Sequence, residues 1–430
     1  MAPVGIVRIK TPDILHASAR CRSSQPRRRA ISAVLRCYTL AFFASEGTLG
    51  MKEADDKLHW VQALRGIAVL LVVLTHTRYV LLDTDQFALA DRLMMPGAMG
   101  VDLFFIISGF IMVYTTTGMT GVRSAALFGV KRVARIWPAY AVITLGWVLL
   151  RHGGSYFADA ARIEQFVKSL LYMPVDPANP PFFGYAFPLG WTLAFEMYFY
   201  LAFGLCMLAG RLRWFAFAVW MFITLMLLPL DRGGPTLDVR QHLATHSPWL
   251  HLAMNPIIWE FLAGVAIGHL YLCSWFRVHS VQTAWLMTVC GIGFAAWFVF
   301  GRIGTFHGPA QWGWPLALMV TLLALASKTV VFKPPAALVW LGTVSYSMYL
   351  THYLGQMLLL RYLPQWGVDT KTWAQVFLTV LFALPLAALA HWLLEVKLSG
   401  MVRRLLMAAL DRALPARAGT AAPEAVAAAN

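Results

Sequence analysis

The chain has 430 residues, of which 59% are hydrophobic and only 13% charged, and its mean hydropathy is +0.63. A soluble domain carries charge on about a quarter of its residues, so this composition excludes a water-soluble enzyme and specifies an integral membrane protein. The net charge of +15 is no sign of a nucleic-acid partner, because the basic residues gather in alternate connections between apolar runs, as they do in polytopic membrane proteins.

In chain order, the first fifty residues differ in composition from the rest. Ala19 to Arg36 holds Arg-Cys-Arg and Pro-Arg-Arg-Arg with no acidic residue, and it lacks the apolar core and small-residue cleavage site of a secretory signal. Residues 1–57 are expected to be a disordered extension, or in part untranslated, with Met51 as an alternative start. Apolar runs follow at 63–82, 97–116, 136–150, 187–209, 214–230, 255–272, 284–301, 312–327, 338–360 and 373–394. Most match the length of roughly 20 residues that a spanning helix needs. The expected fold is all-α, a polytopic domain of about ten transmembrane helices over 58–396, followed by a tail at 397–430 that ends in disorder.

Basic residues cluster before Ala63, at Arg123, Lys131, Arg132 and Arg135, at Arg211 and Arg213, at Arg277, at Lys328 and Lys333, and at Lys397, Arg403 and Arg404. Those connections are expected to be cytoplasmic. The loops 151–186, 231–254, 302–311 and 361–372 then face the other side, and an even helix count leaves both termini in the cytoplasm of a bacterial-type inner membrane. Five cysteines show no metal-like spacing, and no phosphate loop, dinucleotide fingerprint or HExxH motif is present. No metal site is expected.

The first apolar run contains Arg65 and His76. Eleven residues are close to three helical turns, so both side chains project from one face, roughly 16 Å apart along the axis. Ionisable groups at membrane depth are costly and face protein or water. The pair is therefore a candidate site, although His76 could merely bond a neighbouring helix while Arg65 snorkels to the interface.

Six blocks resemble one family in the family's own order: Leu64-Arg-Gly through Leu-Thr-His76, Gly100-Val-Asp-Leu-Phe-Phe-Ile-Ile-Ser-Gly-Phe110, Arg132-Val-Ala-Arg-Ile-Trp-Pro138, Leu189-Gly-Trp-Thr-Leu-Ala-Phe-Glu-Met-Tyr-Phe-Tyr200, Glu260-Phe-Leu-Ala-Gly264 and Leu341-Gly-Thr-Val-Ser-Tyr-Ser-Met-Tyr-Leu-Thr-His352. The chain resembles the membrane-bound acyltransferase-3 proteins, which O-acylate polysaccharides and other extracytoplasmic acceptors. Thr192 and Met197 stand where that family commonly has Ser and Glu or Gln, and Glu395-Val-Lys-Leu is a degraded form of its ending. The resemblance implies transfer of an acyl group from cytoplasmic acyl-CoA to a hydroxyl-bearing acceptor, such as a cell-surface glycan, across the membrane. Acetyl-CoA is the favoured donor because acetyl is common in the family.

Arg132 and Arg135 at i, i+3 share a helix face, where guanidinium forks suit the phosphates of coenzyme A. Without the resemblance, that cluster reads first as a topology signal. Arg65 belongs at the same mouth. Deeper in the span, the His76 imidazole suits either general-base activation of a hydroxyl or transient acyl carriage. Glu196, among Trp191, Phe195, Tyr198, Phe199 and Tyr200, is expected to pair with His76 or Arg65, as a catalytic partner or as a helix-locking ion pair. His352 is a second candidate on the acceptor side, against the plainer reading of an interhelical hydrogen bond. Asp102 is expected to cap a helix entry and Ser108 to bond across helices. Glu260, His391 and Glu395 are assigned to structure, and acceptor recognition to loops 151–186 and 231–254. A transporter is the alternative reading, since intramembrane His, Arg and Glu also mark substrate pathways, though the two halves show no internal repeat. A lipid-binding scaffold would explain the basic loops but not the buried ionisable set.

Overall fold

The computed structural model describes residues 58–414 apart from residue 246, and every regular element among them is helical. The extension 1–57, with the alternative start at Met51, and residues 415–430 lie outside the described residues. In chain order the helices are α1 His59–Thr77, α2 Phe87–Met94, α3 Gly100–Thr115, α4 Val122–His152, α5 Ala160–Leu170, α6 Gly190–Cys206, α7 Arg213–Phe222, α8 Pro248–Met254, α9 Ile258–Leu272, α10 Val281–Phe300, α11 Trp314–Ala326, α12 Ala336–Thr343, α13 Ser345–Tyr362, α14 Trp373–Ala390 and α15 Ser399–Ala413. In an apolar medium the backbone must satisfy its own hydrogen bonds, and an all-helical chain does so within each segment. The protein is an all-α polytopic integral membrane protein.

Seven helical runs among the described residues are long and apolar enough to cross a bilayer, or eight if α8 and α9, bent by 46°, form one span. The ten apolar stretches of the sequence exceed this number for two local reasons. The 38-residue run Gly190–Leu227 joins two of them, α6 and α7, across Gly210, whose φ of 60° breaks the helix. The stretch 338–360 is divided between α12 and α13, and its many hydroxyls, His352 and Gln356 make it less apolar than the other spans. The short stretch 136–150 is the apolar end of α4, a 31-residue helix that begins well before Arg132 and contains Pro138. The segment set apart as a tail is helical over α15, which packs on α4 and is tied to it by Arg123 Nη2 to Asp411 Oδ1 at 2.7 Å.

Small residues let the site-bearing helices meet backbone to backbone. A Cβ on Gly109 of α3 would collide with the Phe261 carbonyl of α9, and one on Gly264 of α9 with the Ile106 carbonyl of α3. Around this crossing the core is aromatic: Phe105 and Phe199 lie 4.6 and 4.5 Å from the ring of Phe261. Gly66 and Gly342 bring α1 and α12 together in the same way. The result fixes α1, α3 and α13 against one another, and these helices carry most of the candidate groups.

Candidate active site

A cavity of about 830 Å³ opens between α1, α3, α4, α6 and α13. Arg65, Arg132, Arg135 and Glu196 all line it. Arg65 donates from Nη2 to Ser345 Oγ at 3.0 Å. Arg132 donates from Nη2 to Thr115 Oγ1 at 3.3 Å, and its guanidinium lies 4.7 Å from the ring centre of Tyr200 and 5.3 Å from that of Phe128. Arg135 follows one turn along α4, so the i, i+3 spacing turns both forks toward the same space. Glu196 Oε1 accepts from the Tyr200 hydroxyl at 2.7 Å and from Ser108 Oγ at 3.2 Å. Three guanidinium groups against one carboxylate make this a cavity for a polyanion, and Phe104, Phe105 and Ile107 on its α3 wall offer an apolar surface beside them.

Tyr349 closes the inner end. Its hydroxyl shares a hydrogen bond of 2.7 Å with Thr192 Oγ1. One helical turn further along α13 is His352, whose ring centre lies 6.1 Å from that of Tyr349. His352 Nε2 is 3.2 Å from Nδ1 of His76. The tautomers follow from the other contacts: His352 Nδ1 faces the Met348 carbonyl at 3.1 Å and His76 Nδ1 faces the Val72 carbonyl at 2.9 Å. A carbonyl only accepts, so both Nδ1 atoms carry the proton, and the one Nδ1–H of His76 is shared between the Val72 carbonyl and His352 Nε2. The lone pair of His76 Nε2 is then free for chemistry. The rings of His76 and Tyr353 are 4.6 Å apart, and Trp147 stands 5.7 Å behind Tyr353.

The structure thus divides the residues singled out in the sequence into two groups. Arg65, Arg132, Arg135 and Glu196 share the cavity, while His76 and His352 face each other beyond Tyr349. Arg65 and His76 do use one face of α1, since both meet α13, at Ser345 and His352. Two expectations are corrected. The hydrogen bonds of Glu196 go to Tyr200 and Ser108 rather than to His76 or Arg65, because α6 presents it to α3 at the level of Ser108. Asp102 is no helix cap: it is fully buried and holds the loop after α10, accepting from Gly308 N at 2.9 Å with His307 Nδ1 at 2.7 Å. Glu395 takes the structural place assigned to it, accepting from the backbone N of Ser347 at 3.1 Å and from its hydroxyl, with His391 Nδ1 at 3.2 Å. Sequence reasoning misses Tyr349, Thr192 and His307 as site residues. Tyr349 and Thr192 lie inside the family-like blocks and so carry a signal, whereas a lone histidine in a loop carries none.

The sequence model of the acyltransferase-3 family, described as an acyltransferase domain, matches residues 58–392. The chain belongs to this family. It is an acyltransferase, and membership decides against the transporter and scaffold readings. The exopolysaccharide production protein ExoZ of Rhizobium meliloti (strain 1021) is 30% identical over 265 residues, 60% of this chain and 75% of that protein. Nodulation protein 10 of Rhizobium leguminosarum bv. viciae is 28% identical over 286 residues, 60% of this chain and 71% of its own. No solved structure matches. The matched region runs from the start of α1 through α14, so the acyltransferase domain contains both the arginine-lined cavity and the histidine pair.

Proposed function

We propose that this acyltransferase moves a small acyl group, acetyl first among the candidates, from cytoplasmic acyl-CoA to a hydroxyl of an extracytoplasmic polysaccharide. The reading is carried by one arrangement: Arg65, Arg132 and Arg135 converge on a cavity whose inner wall, Tyr349, adjoins His352 and His76. The guanidinium forks hold the phosphates of coenzyme A as charge-assisted, geometrically matched partners. The pantetheine arm lies along the apolar wall and carries the thioester toward the imidazoles. His76 acts there through its free Nε2, with His352 holding the Nδ1 proton and so the ring orientation, a role that is one of positioning. A glycan acceptor agrees with the role in exopolysaccharide production that gives ExoZ its name. The basic connections support a cytoplasmic position for the arginine end at the inner membrane, and with eight spans both termini would lie on that side.

His76→Gln tests the chemistry, because the amide keeps polarity and hydrogen bonding but cannot act as imidazole does. In detergent-purified protein, the expected outcome is loss of acyl transfer by roughly 10² to 10⁴-fold, with acyl-CoA affinity and insertion near wild type. Turnover within a few-fold of wild type sinks the assignment. Orientation is checked separately by fusions: a reporter after Gly234 is expected to read extracytoplasmic and one after Gly121 cytoplasmic, and the opposite pattern reverses the proposed direction.

A further inference from the structure

A second ionisable cluster lies at the other end of α3 from the Arg132 contact at Thr115. Asp102, one turn into α3, is fully buried, and His307, in the loop between α10 and α11, is 7% exposed. Their Oδ2 to Nδ1 separation is 2.7 Å. The loop is shaped for this contact. Gly308 has φ of +119°, and a Cβ there would come within 2.8 Å of Val239 Cγ1, so only glycine presents its N–H to Asp102 Oδ1 in this position. Trp191, Phe306 and Trp312 surround the imidazole with ring centres 5.4, 5.4 and 5.2 Å away. Pinning the loop would need no more than the Gly308 N–H. An imidazole held by a buried carboxylate through Nδ1 has its tautomer fixed, and the lone pair of Nε2 is left as a base.

His307 also lines an opening of about 470 Å³ with Asp238, Arg240, Phe306 and Gln311. Arg240 lies 5.0 Å over the Phe306 ring and its Nε is 3.3 Å from Asp238 Oδ1. A carboxylate, a guanidinium and an amide around an aromatic rim supply the donors and acceptors that bond the hydroxyls of a pyranose. Asp102 adjoins Val101, and Trp191 adjoins Thr192, and both neighbours line the arginine cavity.

We propose that the opening beside His307 receives the carbohydrate acceptor and that His307, positioned by Asp102, takes the proton from the acceptor hydroxyl. This rests on the acyl-transfer reading above and assigns its acceptor half. As the hydroxyl oxygen bonds to the acyl carbonyl carbon, its proton passes to Nε2 of His307. The bond from that carbon to Nε2 of His76, which took up the acyl group by displacing the coenzyme A thiolate, breaks. His76 leaves as the neutral Nδ1–H imidazole, and the coenzyme A thiolate takes the proton from His307, so ester, thiol and neutral imidazoles result.

The test uses the full chain, labelled acetyl-CoA and, as acceptor probe, the extracellular polysaccharide of the native host stripped of its esters by mild alkali. His307→Gln is expected to lose transfer by roughly 10² to 10⁴-fold, the range for a general base, and to bind acetyl-CoA as wild type does. His307→Gly is expected to regain at least tenfold of its lost rate when free imidazole is added, which a purely structural histidine would not allow. His307→Gln within fivefold of wild type overturns the proposal, as does a loss that imidazole leaves untouched. The His76→Gln experiment reads the acyl-transfer assignment independently, so the two can fail separately.

Discussion

The arginine-lined cavity and the imidazole end are built in different ways. In the cavity some of the charged groups have company nearby in sequence, since Arg132 and Arg135 share one helix face and Glu196 accepts from Tyr200 four residues along α6, while Arg65 reaches Ser345 across 280 positions. At the imidazole end the partners are remote, with His76 and His352 separated by 276 positions and Asp102 and His307 by 205. The cavity end can therefore be damaged stepwise, one contact at a time. The imidazole end depends on the crossings of α1, α3 and α13 and on one glycine turn.

The comparison predicts a split between binding and turnover. The largest effect at the cavity end is expected from replacing Arg132 and Arg135 together by Ala. Each charge-assisted hydrogen bond contributes about 1.5–3 kcal/mol, so loss of two is expected to weaken acyl-CoA binding by about 10² to 10⁴-fold, measured by calorimetry or by KM. The residual affinity is expected to fall further as salt is raised. Unchanged binding in an inserted double variant returns both arginines to a topological role.

A smaller effect is expected from Glu196→Gln, which sharpens the boundary between the two regions. The amide oxygen still accepts from Tyr200 and Ser108, while the cavity loses its one opposing charge. Acyl-CoA affinity is expected to change by less than about tenfold, in the direction of tighter binding, with kcat close to wild type. A fall in kcat like that of His76→Gln, with affinity unchanged, would join Glu196 to the imidazole chemistry and erase the division between the two ends.

Much of this is legible in the residues alone. Composition requires a membrane protein, since a chain with 13% charged residues has too little polar surface to face water. The Arg65 to His76 spacing places both on a shared helix face, and six ordered blocks point to the family. The span boundaries are less secure, because hydropathy responds to the average of a window. It separates the runs on either side of Gly210, yet it cannot register that α4 continues through its own arginines.

Residue type and near neighbours therefore settle the class of solvent, the helical periodicity and the kinds of chemistry available. The partnerships come from tertiary packing. Whether Glu196 meets an imidazole or a pair of hydroxyls, whether Asp102 caps a helix or holds His307, and which nitrogen of His76 is free are matters of a few ångströms across helix crossings. One such crossing, α3 on α9, is set by Gly109 against the Phe261 carbonyl and Gly264 against that of Ile106, where packing at van der Waals contact allows one arrangement. Residue periodicity carries no such information, since a helix presents the same face whatever is placed against it.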